Sequence, residues 1–144
     1  QADAKIVLPA GDLFALIPSF NFRFLFGEDI PVAYFNAMGG SLPGRFVDQQ
    51  MPFIGVNHLS AMKNILTLFR TDFRYTLAKN HYITGILNYV RDCDHFKDYT
   101  VGLGYFGAGL EYSYDTIFGP LSANLHWSNM THKVGFYISA GYNF

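Results

Sequence analysis

The chain has 144 residues, of which 50% are hydrophobic, 18% aromatic and 15% charged, and its formal net charge is −1 at pH 7. This composition excludes a disordered chain, and the 10 lysines and arginines form no basic cluster of the kind that binds nucleic acid. The single cysteine, Cys93, excludes an internal disulfide, and the cysteine and histidine spacing of a zinc site is absent. We therefore expect one domain over residues 1–144, without a metal, a cofactor or a nucleic-acid partner.

Apolar residues at every second position predict an all-β chain. From Phe20 to Phe26 the even positions are all aromatic and the odd ones include Asn21 and Arg23, which is the period of a strand with one apolar and one polar face. The segments 31–38 and 82–91 alternate less regularly, and residues 3–9 are a candidate for an eighth strand. In chain order, the predicted strands cover residues 3–9, 20–26, 31–38, 65–77, 82–91, 108–114, 121–128 and 134–144.

The connections between these predicted strands are of two lengths. Residues 78–81 and 116–120 are short turns, whereas 39–60 and 91–100 are longer, and the last of these is rich in charge. Outer-membrane barrels place tight turns on the periplasmic side and longer loops outside. The two lengths therefore favour a membrane barrel.

In residues 65–77 the two faces of the predicted strand differ in charge. Phe69 and Phe73 lie on an apolar face, and charged residues lie between them on the other face. We expect the charged side chains to form a polar network in the lumen of a barrel, while the aromatic ones contact lipid. The expected lumen network consists of Arg70, Asp72, Arg74 and Glu111.

An alternating sheet is compatible with two kinds of tube, a soluble lipid-binding β-barrel with apolar residues inside and a membrane barrel with apolar residues outside. Aromatic residues near strand ends, such as Tyr75 and Trp127, favour the membrane form, as does the low charge of residues 101–144. An unpaired strand edge is costly in hydrocarbon, so the sheet must close. The predicted fold is a transmembrane antiparallel up-and-down β-barrel, with eight strands in this chain or as half of a 16-stranded barrel.

Two segments late in the sequence resemble a known family. Residues 107–125 and 133–144 are similar to the C-terminal strands of the bacterial surface antigen superfamily, and the likeness covers roughly residues 20–144. Its most specific parts are the Gly-Pro-Leu turn at 119–121 and the apolar residues that alternate before a terminal phenylalanine, which resemble the signal read by the barrel-assembly machinery. This C-terminal assembly signal comprises Phe136, Ile138, Tyr142 and Phe144.

The resemblance implies a bacterial outer-membrane protein without chemistry of its own, acting as a membrane anchor or as an assembly or translocation component. Within the superfamily, the chain is most similar to the barrels that follow patatin-like phospholipase domains and to stand-alone short barrels. The implied partners are outer-membrane lipid, the barrel-assembly machinery during insertion, and a second copy or a partner protein. A loop arginine that docks in the lumen is typical of the superfamily; Arg45 is the candidate, although Phe46 follows it where the family has glycine.

An enzymatic alternative depends on His126 and Ser128. The run from His126 to Asn129 is similar to the His-x-Ser-Asn of outer-membrane lipid A deacylases, in which a histidine base activates a serine. The acid that would orient the histidine is missing, because residues 129–144 contain no Asp or Glu. We therefore expect no enzyme activity and no catalytic residue, and we expect His126 and Ser128 to be a hydrogen-bonding pair in the lumen.

Overall fold

The structure is a computed structural model that describes residues 1–27, 29–42, 47–101 and 103–141, and its fold is all-β. Within these ranges no helix is long and apolar enough to cross a membrane. The strands are β1 (Ala2–Lys5), β2 (Leu8–Pro9), β3 (Phe14–Phe24), β4 (Ala37–Met38), β5 (Gln50–Met51), β6 (Ser60–Ala61), β7 (Ile65–Ala78), β8 (His81–Cys93), β9 (Leu103–Thr116), β10 (Gly119–Ser128) and β11 (Val134–Ala140).

Eight of these strands form one antiparallel sheet, the main sheet, in the order β1-β3-β7-β8-β9-β10-β11, with β2 also paired to β3. Because β1 and β2 pair with two successive parts of β3, the eight strands occupy seven positions. The predicted antiparallel up-and-down arrangement is confirmed. The predicted closure is not seen, because β1 and β11 are unpaired edges in the described part of the chain.

The predicted strand at 31–38 is wrong. Pro31 precedes a single 3₁₀ turn, Val32–Tyr34, and proline has no N–H to donate to a strand ladder. Only β4 at the end of this segment is extended, and it pairs with β5 and β6 in a small second sheet. The apolar residues of 31–38 do not alternate, so they do not specify one face of a sheet. The main sheet therefore has seven strand positions instead of the eight that were predicted.

The main sheet curls around a cavity. Asp3 of β1 at one edge and Tyr137 of β11 at the other edge line the same cavity. We name the face that lines this cavity the inner face and the opposite face the outer face. The short connections at 10–13, 79–80 and 117–118 lie at one end of the sheet, the turn end, and the longer connections lie at the other, the loop end.

The hydrophobic core lies between the inner face and residues 25–64, which we name the insert. The insert connects β3 to β7 at the loop end and contains the small second sheet. Its methionines, Phe53 and Val56 pack against inward side chains of β7 and β8. The buried cluster consists of Met38, Met51, Phe53, Val56 and Met62 from the insert and Leu66, Leu68 and Val90 from the main sheet.

Candidate functional site

The part of the inner face that the insert leaves open surrounds a cavity of about 820 Å³. Its lining consists largely of hydroxyl, amide and charged side chains from strands at both edges and in the middle of the main sheet. These side chains share one face because residues two apart on a strand point the same way. All four residues of the expected lumen network, Arg70, Asp72, Arg74 and Glu111, line this cavity.

Arg70 and Asp72 form a bidentate ion pair on β7. Nε of Arg70 donates to Oδ1 of Asp72 at 2.7 Å, and Nη2 donates to Oδ2 at 3.1 Å. Nη1 of the same guanidinium donates to the carbonyl oxygen of Ser41 at 3.1 Å. The two side chains are only 12% and 15% exposed, so water screens the pair less than it screens a surface pair. The contact therefore joins the insert to the wall of the cavity.

Arg74 and Glu111 have local partners. The guanidinium carbon of Arg74 lies 5.6 Å from the centre of the Tyr82 ring, a cation–π contact. Oγ of Ser113 donates to Oε1 of Glu111 at 3.2 Å. Both residues pair with Thr84 in the strand register, so one strand separates them. The salt bridges within the described ranges do not include Arg74 or Glu111.

Asn88 forms hydrogen bonds between the inner face and the insert. Its Oδ1 accepts from the backbone N–H of Ile54 at 3.2 Å, and its Nδ2 donates to the Ile54 carbonyl at 3.2 Å. The amide side chain thus satisfies both backbone groups of one buried residue, as a neighbouring strand would. Asn88 itself is 2% exposed. The Asn88 amide therefore takes the place of water as the hydrogen-bond partner of the Ile54 backbone, which has no partner in a strand ladder.

A second contact lies beside the first, where Oγ of Ser128 donates to the Gly55 carbonyl at 3.0 Å. The two backbones are close here: a Cβ on Gly55 would lie 2.6 Å from Cβ of Ser128, and a Cβ on Gly107 would lie 2.2 Å from the Ile54 carbonyl oxygen. Real Cβ atoms do not approach so closely. Glycine at positions 55 and 107 therefore permits the insert to reach the sheet.

His126 and Ser128 lie on the same face but bond to different partners. Nδ1 of His126 donates to Oδ1 of Asn124 at 2.7 Å, whereas Ser128 bonds to Gly55 and to Thr131. Both side chains are buried beneath the insert, and Ser128 is 0% exposed. A serine nucleophile needs a base on its own oxygen and space for a substrate. In this arrangement the hydroxyl hydrogen of Ser128 is directed to a backbone carbonyl.

The outer face of the main sheet is apolar and largely uncovered. Phe69 and Phe73 are directed away from the cavity and are 49% and 38% exposed. Phe136 and Ile138 of the predicted assembly signal are on the same face. Further exposed apolar side chains of this face are Tyr75, Leu87, Tyr89, Phe106, Leu110, Tyr112, Tyr114, Leu121, Leu125, Trp127 and Val134.

Three predicted site residues lie outside the described residues. They are Arg45, the expected lumen-docking arginine, and Tyr142 and Phe144 of the assembly signal. In the ranges that are described, no three His, Cys, Asp or Glu side chains are grouped to hold a metal ion.

A match to a known family covers most of the chain. The sequence model of the OMP85 superfamily matches residues 15–144. The chain belongs to the OMP85 superfamily. This match includes the insert and the main sheet from β3 onwards, and it confirms the resemblance to the bacterial surface antigen superfamily. No curated protein and no solved structure matches the chain.

Sequence reasoning missed the docking of the insert. The segment that docks, residues 51–56, is apolar without a charge, although it lies in a region predicted as a long loop. Uncharged apolar residues in a long connection are a signal for a buried segment, because exposed loops are usually polar. Asn88 and the glycine at position 107 carry no such signal, since their roles depend on the backbone that lies opposite.

Proposed function

We propose that this OMP85 chain forms part of an outer-membrane β-barrel, acting as a membrane anchor or as a component of protein assembly or translocation. The observation that supports the proposal best is the outer face, which is apolar on strand after strand and is exposed over most of its length away from the loop end. Superfamily membership points the same way.

An outer face of this kind is suited to lipid. Leu125, Phe136 and Ile138 are 55%, 59% and 60% exposed although they lie on central or edge strands of one sheet. Soluble monomers rarely expose contiguous apolar patches larger than a few hundred Å², whereas membrane barrels carry an apolar band about 25 Å tall. A soluble lipid-binding barrel would need the apolar face inside, which is the reverse of the arrangement here.

The open edges support a larger barrel over an eight-stranded one. In hydrocarbon, each unpaired backbone group costs several kcal/mol, so no strand edge can face lipid. The described part of β11 has β10 on one side only, and β1 has only β3. We propose that further strands complete the barrel, consistent with half of a 16-stranded barrel, and that they come from the rest of the protein or from a second copy.

The insert supports an anchoring or assembly role over that of a passive pore. It fills the loop end of the inner face with buried side chains such as Met38 and Phe53, both 0% exposed. A diffusion pore needs a lumen that is open from end to end, as in porins. Here the insert packs the loop end, and the remaining cavity lies towards the turn end.

Trp127, the chain's one tryptophan, provides a direct test. It lies on the outer face near the loop end, and it is 39% exposed. We expect its fluorescence to be quenched when the protein is refolded into phosphatidylcholine vesicles whose acyl chains carry bromine. Bromine near the headgroup should quench more strongly than bromine near the chain end, because aromatic residues at strand ends lie at the interface.

A matched control moves the tryptophan to the inner face. In the double variant Trp127→Phe, Ser122→Trp, the new indole would line the cavity, since Ser122 does so. We expect brominated lipid to leave this variant unquenched. A parent protein that stays in the aqueous phase without detergent, or that binds vesicles with Trp127 unquenched, would contradict the proposal.

A further inference from the structure

One cation interrupts the apolar outer face. Among the outward positions of the main sheet in the described residues, Arg91 is the one arginine, lysine, aspartate or glutamate. Its neighbours two positions away on β8 are Tyr89, which is outward, and Cys93. A charge on a lipid-facing surface is costly unless it reaches polar surroundings. The position of Arg91 along the strand is therefore informative.

Arg91 lies where the apolar band ends. It is ten residues after His81, the first residue of β8 at the turn end, and two before Cys93, the last at the loop end. At about 3.4 Å per residue this is roughly 34 Å along the strand. With a tilt of about 45°, the height is roughly 24 Å, close to the full apolar band. The guanidinium is thus at headgroup level on the side of the long loops.

Two tyrosines hold this guanidinium in place. Nη1 of Arg91 donates to the hydroxyl oxygen of Tyr89 at 3.3 Å, and the guanidinium carbon lies 5.6 Å from the centre of the Tyr99 ring. Gly104 is paired with Arg91 across the sheet, and a Cβ on it would lie 2.8 Å from the Tyr89 hydroxyl. The glycine therefore leaves space for the Tyr89 ring to lie beside the arginine.

We propose that Arg91, with Tyr89 and Tyr99, binds the phosphate group of a membrane lipid at the outer face. This inference rests on the proposed function, because it needs the outer face to contact lipid. A guanidinium binds phosphate through two parallel N–H bonds, and an aromatic ring in cation–π contact with it restricts its motion before binding. Tyrosine hydroxyls at the interface add hydrogen-bonding groups at the same depth.

The charges around the site are mixed. The connection after β8 contributes Lys97 as a second cation and Asp98 as an acid, close in sequence to Tyr99. Asp94 in the same connection is paired with Lys63 at 3.1 Å. Asp92 is directed to the inner side, where its Oδ1 accepts from the backbone N–H of Lys63.

The test uses the purified parent protein in detergent micelles and measures bound lipid by native mass spectrometry. The probes are lipid A with its two phosphates, the same lipid A after enzymatic dephosphorylation, and inorganic phosphate alone. We expect the parent to retain phosphorylated lipid A, and Arg91→Gln to bind it about tenfold more weakly. Arg91→Lys should lie between, because lysine keeps the charge but loses the two-pronged geometry.

Lys79→Gln is the matched control, since it removes one cation from the turn end. We expect it to bind lipid A like the parent. Equal retention of lipid A by Arg91→Gln and the parent, or equal retention of the dephosphorylated lipid, would overturn the inference. Inorganic phosphate that binds with the affinity of lipid A would overturn the assignment to a lipid.

Trp127 quenching separates this inference from the proposed function. We expect brominated vesicles to quench Trp127 equally in the parent and in Arg91→Gln. A parent that is quenched, together with an Arg91→Gln variant that still binds lipid A, would overturn the phosphate site alone. A parent whose Trp127 is not quenched would overturn both.

Discussion

The side chains on the two faces of the main sheet differ in what they contact. The inner face carries buried polar side chains, such as Asn88 and Ser128, and the insert supplies a backbone partner for each. The outer face carries exposed rings such as Phe69 and Phe136, which are 49% and 59% exposed, and Phe69 contacts another ring of the same face, that of Phe20. The inner face therefore depends on specific contacts, and the outer face depends on the medium. Substitutions should affect the two faces by different mechanisms.

The largest effect is expected from a charge in the middle of the outer face. Leu125→Arg places a guanidinium at a 55% exposed outward position of β10. A buried guanidinium costs about 2–4 kcal/mol at the bilayer midplane and less towards the interfaces, so we expect a loss of about 2 kcal/mol at position 125. Urea unfolding in phosphatidylcholine vesicles should show this loss, whereas Ser122→Arg, which directs the same group into the cavity, should lose less than about 1 kcal/mol. Equal losses would show that the faces are misassigned.

The next largest loss of unfolding free energy is expected from removal of the Asn88 side-chain amide, which bonds the insert to the sheet. Asn88→Ala leaves the buried N–H and carbonyl of Ile54 without the partners they have now. Leaving such groups unpaired costs about 1–3 kcal/mol in unfolding free energy. Amide hydrogen exchange should speed up in residues 53–56 and stay unchanged in β10. Ser19→Ala, on the inner face away from the insert contact, serves as the control, and exchange unaffected by Asn88→Ala would contradict the role of this amide.

The close approach at Gly107 should respond to a single methyl group. In Gly107→Ala the new Cβ would meet the Ile54 carbonyl and the Asn88 amide, so the insert must shift. Overpacking of this kind costs about 1–3 kcal/mol. Gly85→Ala is the matched control on the neighbouring strand, because a Cβ there meets only Phe73 at 3.9 Å. If both variants unfold at the same urea concentration, docking of the insert does not require glycine at position 107.

The smallest effect is expected from the ion pair in the cavity wall. A double-mutant cycle with Arg70→Gln and Asp72→Asn should give a coupling energy of about 1 kcal/mol, because the pair is partly buried and two-pronged. The coupling should change little with added salt, since bulk water screens the pair weakly. Arg74→Gln with Asp72→Asn is the control cycle, and we expect no coupling there. A coupling that vanishes in salt would place the pair in open solvent.

Alternation predicted most of the main sheet. The predicted strand at 65–77 corresponds to Ile65–Ala78, and that at 121–128 to Gly119–Ser128. The strand at 82–91 corresponds to His81–Cys93, although its pattern is less regular. The predicted bounds are too short at 108–114, mainly because Gly104 and Gly107 interrupt the alternation near the start of β9. The pattern marks strands well where one face is uniformly apolar.

Hydrophobic alternation did not predict the structure correctly where apolar residues do not recur at every second position. At 31–38, Val32 and Tyr34 suggest a strand, but they are 78% and 62% exposed in a 3₁₀ turn. The candidate site shows the same limit: the sequence indicates that Arg70 and Asp72 share a face, but not that Ser41 lies beside them. Contacts across 29 positions of sequence have no local signature.

The sequence by itself determined the two faces of each strand, because a period of two assigns every side chain to one side of a sheet. It also determined the family, through residues spread over most of the chain. Only the tertiary structure decided that the insert docks inside the sheet, that Gly107 gives it room, and that the described strands leave both edges open. These features depend on which distant backbones meet, and that choice is made by packing and hydrogen bonding, not by any local pattern.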